Sequence, residues 1–320
     1  MSKRKIFGVP FPVLAALAGV IIVLVIVGLL AGPIGQAVLH LHFPSWMVVA
    51  QPSPKLPSEA VFHVLGLPVT NTLLASWITV LFLVLVSYFV TRNMKLIPKR
   101  VQSIFEFILG WIYDVCQSSA GEENGRKFFP VVCTIALYVA FNAWLSLIPG
   151  FGSILVHSAD GQTFELFRNA NTDINTPLAI ALISFVFVEY NALKSLGPGY
   201  LKKFFNFGHF FHSIGQIFKK KFSFINMFSS LIEIVVGLLE GISELMRNVS
   251  FTFRLFGNMT AGEILVLVVA FLAPMGLNWA VYVLELLIGF IQALVFSILT
   301  LGFASVAITS HEPEAHAAES

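Results

Sequence analysis

The chain has 320 residues, of which 57% are hydrophobic and 11% charged, with a mean hydropathy of +0.86 and a net charge of +2. A soluble domain carries about a quarter charged residues, so this sequence lacks the polar side chains needed to cover a water-facing globule. Near-zero net charge and 32 phenylalanines also exclude a disordered chain and a nucleic-acid-binding surface, leaving an all-α polytopic membrane protein.

A helix crossing about 30 Å of hydrocarbon needs roughly 20 apolar residues. The first such run is Phe11 to Ala31, after a basic start at residues 1–5. It is longer than the apolar core of a secretory signal, about 7–15 residues, which predicts a retained helix. Pro44 to Pro68 is proline-rich and reads as an extramembrane connection. A second span, Thr70 to Val90, leads into the basic loop Thr91 to Arg100. Residues 101–117 set Ile104, Phe105, Ile108, Leu109 and Ile112 against Gln102, Glu106 and Asp114, an amphipathic pattern expected to lie along the interface.

The third span, Phe128 to Ile148, ends at Pro149-Gly150 and is followed by a polar loop, residues 151–173, with one arginine and no lysine. The fourth, Asn175 to Leu193, has a polar entrance at Asp173, Asn175 and Thr176. A basic, aromatic segment, Tyr200 to Phe224, follows. Its His209 and His212 read as interfacial residues, since no His-Glu-x-x-His pattern accompanies them. Two longer apolar stretches, Ile225 to Phe271 and Leu277 to Thr309, flank Ala273-Pro-Met-Gly276, and an acidic tail closes the chain. Cys116 and Cys133 make neither a disulfide framework nor a zinc site. No metal or cofactor is expected.

With six membrane segments, the basic start, the 91–100 loop and the 194–221 region all fall on one side. Lysine and arginine mark the cytoplasmic side, which predicts both termini there. The last two stretches, as single helices, would measure about 70 and 50 Å. Ordinary tilt absorbs less than that, so each either breaks or lies strongly tilted. A steep hairpin presents a side wall to a neighbouring partner.

Ionisable residues inside a membrane are expensive. The fifth stretch holds Glu233, Glu240, Glu244, Arg247, Arg254 and Glu263, and the sixth holds Glu285 and Gln292. At about 100° per residue, Glu240, Arg247, Arg254, Asn258 and Ala261 share one face of the fifth helix. An antiparallel hairpin puts Gln292 near the depth of Arg254 and Asn258, brings Glu263 and Glu285 together toward the outside, and leaves Glu240 toward the cytoplasm. A fixed cation with carboxylates on each aqueous side suits proton transfer. No carboxylate of this chain is an obvious partner at the depth of Arg254, which implies a partner subunit with a buried Asp or Glu.

Arg254-Leu-Phe-Gly-Asn-Met-Thr-Ala-Gly-Glu263 resembles the signature of the subunit a family of F-type ATP synthases, the stator beside a rotating ring of c subunits. Leu239-Glu-Gly-Ile-Ser243, Ile291-Gln-Ala-Leu-Val-Phe296, Leu147-Ile-Pro-Gly150 and Asp173-Ile-Asn-Thr176 add to the resemblance, which covers about residues 70–310. It implies a stator with two offset proton half-channels that is not itself catalytic. Arg254 would be the stator arginine, and Asp173, Glu240, Asn258, Glu263, Glu285 and Gln292 the proton path. Implied partners are the c-ring and its buried carboxylates, the peripheral-stalk b subunit, the soluble catalytic head, lipid and protons, in a bacterial inner membrane. Two positions depart from the pattern. Glu285 stands where some relatives carry His, and Ser146 where some carry an acidic residue. The expected organisation is an N-terminal helix and connection at 1–69, a core at 70–310 and a tail at 311–320. The competing class, a self-contained channel or secondary transporter, would show a pseudo-repeat or paired broken helices, and the sequence has neither.

Overall fold

The computed structural model describes residues 5–6, 9–33, 35, 37, 44, 51–52, 57–92, 94–95, 100–157, 163–197, 200 and 224–309. The Tyr200 to Phe224 segment apart from its two end residues, with its two histidines, and the tail at 311–320 lie outside them. Among the described residues, six helices are long and apolar enough to cross a membrane. They are α1 (Phe11–Ala31), α2 (Asn71–Arg92), α3 (Arg100–Ser146), α4 (Asn175–Leu196), α5 (Phe224–Leu272) and α6 (Leu277–Thr309). The protein is an all-α polytopic membrane protein.

The loops hold short strands that the sequence reading left irregular. Besides β1 (Lys5–Ile6) and β2 (Val9–Pro10), β3 (Ala60–Val64) pairs antiparallel with β4 (Leu67–Thr70), and β5 (Leu155–His157) with β6 (Thr163–Glu165). The β3–β4 turn is Leu65-Gly66, with φ of 52° and 83°. Positive φ at both central residues matches the strand twist of a two-residue hairpin.

One compact unit comprises residues 1–79, 140–173 and 257–291. Within it, buried Asn71 ties two hairpins to the start of α2. Its Oδ1 accepts from the Glu59 N–H (3.3 Å) and its Nδ2 donates to the Glu165 carbonyl (3.1 Å). The end of α1 seats on the turn between α5 and α6. Gly28 lies against the backbone of Met275, Gly32 against that of Leu272, and a Cβ on Gly276 (φ 81°) would lie 2.8 Å from Val25. Glycine is needed at these places because backbone meets backbone there.

The second unit comprises residues 80–139, 174–256 and 292–320. Its core joins Ile112 and Cys116 to Phe128, Val132, Cys133, Val188, Leu301 and Ala304. In a straight helix Ile112 and Cys133 would lie about 30 Å apart. They share a core because α3 folds back at Gly121 (φ 79°, ψ 169°), with Gly125 against the Cys116 and Gln117 backbone. The amphipathic 101–117 segment is thus the first arm of a helical hairpin. Both cysteines are free and buried. Ser184 and Thr300 bind across α4 and α6 at 2.7 Å, satisfying two buried hydroxyls. Helices α5 and α6 run unbroken over 49 and 33 residues, so breakage does not resolve their excess length.

Candidate functional site

Within the first unit, residues 143–169 of α3 and its following loop converge with α5 and α6 around a cavity of about 110 Å³. Its polar lining is Ser146, Glu165, Arg168, Asn169, Glu263, Tyr282 and Glu285. Met259, Glu263, Val266 and Leu267 come from one face of α5 at spacings of three and four, and Tyr282 and Glu285 from one face of α6. The expected meeting of Glu263 and Glu285 is observed: both line this cavity.

The sequence reading missed the cation in this cavity, Arg168. Arg168 Nε donates to Glu263 Oε1 at 2.8 Å and Oε2 at 3.1 Å, with the two side chains 10% and 25% exposed. Such a shielded, charge-assisted contact is stronger than a surface pair. The signal was present, since Arg168 is the single basic residue Arg or Lys of a loop otherwise free of them. Asn169 Nδ2 donates to Ser146 Oγ (3.1 Å), so Ser146 serves as a hydrogen-bonding group.

Glu285 is 5% exposed, and its Oε1 has no hydrogen-bond partner among the described residues. Its carboxyl rests on the bare backbone of Gly262. Glu165 sits outside the spanning helices. Burial pushes its carboxyl above the usual carboxylate range, the Glu263 charge adds to this, and the Arg168 guanidinium opposes it. Asp173 is not among the cavity-lining residues; its Oδ2 accepts from Thr72 Oγ1 at 3.0 Å.

In the second unit, Phe251 packs on Phe296 (4.9 Å between centroids) and on Phe303 (5.9 Å). That contact sets an antiparallel register in which Gln292, one turn back from Phe296, is level with Leu255, one turn on from Phe251. Gln292 therefore lies at the depth of Arg254. Arg254 is exposed, its guanidinium 6.0 Å from the Phe251 ring, and it makes no ion pair among the described residues. Asn258 and Ala261 are exposed on the same helix. Arg247 differs: it pairs with Glu244 and stacks 4.2 Å over Phe303. Glu240 is half-buried. The face that joins Glu240, Arg247 and Arg254 on a wheel thus divides, with Arg247 turned inward.

Residues 73–305 match the family described as ATP synthase A chain. The chain belongs to that family. It is 30% identical over 242 residues to ATP synthase subunit a of Gloeobacter violaceus, covering 76% of this chain and 85% of the relative. It is 31% identical over 226 residues to ATP synthase subunit a 1 of Pelobacter propionicus (71% and 82%). With ATP synthase subunit a of Sulfurihydrogenibium sp. it shares 29% over 236 residues (73% and 96%). The ATP synthase A chain match spans Arg254 and every residue lining the cavity, while α1 lies outside it. Family membership makes the chain a multi-pass membrane component of ATP synthase that takes part in proton transport.

Proposed function

We propose that the chain is the stator that forms two offset proton half-channels against a ring of c subunits. The observation that carries this reading is Arg254: an exposed guanidinium on an apolar helix, without an ion pair among the described residues. A guanidinium stays protonated at physiological pH, and its exposure within a spanning segment calls for a carboxylate on a neighbouring subunit. At 4 Å and an effective dielectric near 20 the two attract by about 4 kcal/mol. That suffices to keep the arriving c-subunit carboxylate ionised and still lets it leave.

Protons come from the outside through the cavity at Glu263 and Glu285, with Asp173 beside the approach, and pass Asn258 and Gln292 to the ring. A protonated c-subunit carboxyl is neutral, so it can turn into lipid. On the far side Arg254 favours loss of that proton toward Glu240 and the cytoplasm, and its fixed charge blocks direct passage between the two paths. Each charge crossing gains about 2.3 kcal/mol per 100 mV, so several protons drive each ATP made by the soluble head. The unbroken lengths of α5 and α6 support a strongly tilted hairpin along the ring. Residues 70–310 form the working core, 1–69 an N-terminal helix and connection, and 311–320 a tail. The chain sits in a bacterial inner membrane with both termini cytoplasmic, beside the peripheral-stalk b subunit, and is not itself catalytic.

The test is ATP-driven proton pumping in inverted vesicles with Arg254→Ala. Pumping is expected to vanish while the ring still co-purifies. Pumping near the wild-type rate would make Arg254 a structural residue and overturn the assignment.

A further inference from the structure

We propose that Glu165, on the hairpin outside the spanning helices, is a further proton-carrying residue of the outer path. The proposal rests on the half-channel reading above and deepens it.

Four observations converge on Glu165. It lines the same cavity as Glu263 and Glu285 while belonging to the loop that joins α3 and α4. Its main chain is anchored, because Asn71 Nδ2 donates to its carbonyl. Its side chain occupies room left by Gly152, where a Cβ would stand 3.3 Å from Glu165 Oε2. Across the cavity, Glu285 is 95% buried with Oε1 unpartnered among the described residues, so it is a group with hydrogen-bonding capacity left over.

The charged and titratable groups facing the cavity are Glu165 and Arg168 from the loop, Glu263 from α5, and Tyr282 and Glu285 from α6; α3 contributes only the Ser146 hydroxyl as a side-chain polar group. Three carboxyls around one cavity give an entering proton several neighbouring acceptors. About 110 Å³ has room for several waters between polar groups. Hydronium protonates the Glu165 carboxylate and becomes water. The Glu165 carboxyl then loses that proton through water to a carboxylate of Glu263 or Glu285 and returns to its anionic form. Glu165 thereby supplies, from the loop, the acidic group absent at Ser146.

The experiment uses the intact complex in liposomes, with ATP synthesis driven at fixed membrane potential while the pH on the proton-source side is varied. Glu165→Gln should lower the rate about tenfold at alkaline source pH and recover as that side is acidified. The loss is smaller than the 10²–10⁴-fold of a reacting proton-transfer group, because water still reaches Glu263 and Glu285. Glu165→Asp should restore most of the rate. Arg168→Gln should move the pH profile toward alkaline values, since Glu165 loses the charge that favours its ionised form. If Glu165→Gln fails to assemble, Gly152→Ala, which crowds the carboxyl without removing it, should cause the same alkaline loss. A Glu165→Gln or Gly152→Ala profile superimposable on wild type overturns the proposal. Arg254→Ala separates the two readings. If it abolishes synthesis while Glu165→Gln leaves the profile unchanged, only the Glu165 assignment fails. If Arg254→Ala itself retains synthesis, the half-channel reading fails.

Discussion

Gly262 on α5 faces Glu285 on α6 so closely that a Cβ at position 262 would overlap the Glu285 carboxyl. The most buried carboxyl of the cavity therefore rests on bare backbone, and its position depends on a side chain that is missing. Gly262→Ala must displace either the carboxyl or the helix. Overpacking of this kind costs about 1–3 kcal/mol, so the variant should lower both the thermal stability of the complex and ATP-driven proton pumping. Gly110→Ala is the comparison, since a Cβ there meets nothing within 4 Å. Replacing a helical glycine at an open position should be neutral or stabilising by about 0.5–1 kcal/mol. Equal losses in the two variants would remove the steric explanation.

Gly257 is exposed between Arg254 and Ala261, and a Cβ there also meets nothing within 4 Å. If the face of α5 that carries Arg254 runs against a ring, Gly257→Leu should leave the melting of the isolated chain within about 0.5 kcal/mol of wild type. It should nevertheless weaken co-purification of the ring and abolish pumping. Unimpaired pumping in Gly257→Leu would mean that this face has no close neighbour.

The helices and the intramembrane charges were legible because hydrocarbon imposes a length and penalises ionisable groups. Phe11–Ala31 was bounded to the residue, and the joint placement of Glu263 and Glu285 followed from helical spacing and antiparallel pairing. The loops were not legible in this way. Arg168 meets Glu263 across 95 positions, a contact that no local period encodes. Strands of three to five residues, such as β5 and β3, offer too few alternations to be seen. Gly121 shows the same limit, because one residue of positive φ folds the 101–117 segment back as half of a hairpin. The inward turn of Arg247 depended on Phe303, on a different helix.

Asn142 Nδ2 donates to Thr79 Oγ1 at 3.2 Å, joining α3 to α2 through two buried side chains, while Asn142 Oδ1 has no partner among the described residues. Interhelical hydrogen bonds in membranes average about 0.6 kcal/mol and reach about 1.7. Thr79→Val should therefore destabilise by roughly 1 kcal/mol, as it leaves the Asn142 amide with neither group paired. Asn142→Leu should cost less, because it removes the polar group instead of orphaning it. A double-mutant cycle on thermal melting checks this. The double variant should be more stable than the sum of the single changes predicts, and strict additivity would show that the bond contributes nothing.

Burial and the Glu263 charge raise the Glu165 pKa above its ordinary 4.5, against the opposing pull of Arg168. The folded chain therefore binds this proton more tightly than the unfolded chain. Between 4.5 and the raised value the native state holds more protons, so the slope of unfolding free energy with pH is negative. Stability contributed by the neutral carboxyl is fully present at low pH and is lost as pH rises through the folded-state value. Glu165→Gln mimics the neutral form at every pH and leaves the Glu165 carbonyl free to accept from Asn71. Its melting temperature should exceed that of wild type at neutral pH, with the difference shrinking toward zero as pH falls below the ordinary carboxylate range. Arg168→Gln should steepen the wild-type dependence, because a charge that favours ionised Glu165 is gone. A difference between Glu165→Gln and wild type that stays constant with pH would show that the effect is one of packing and that ionisation of Glu165 has no part in it.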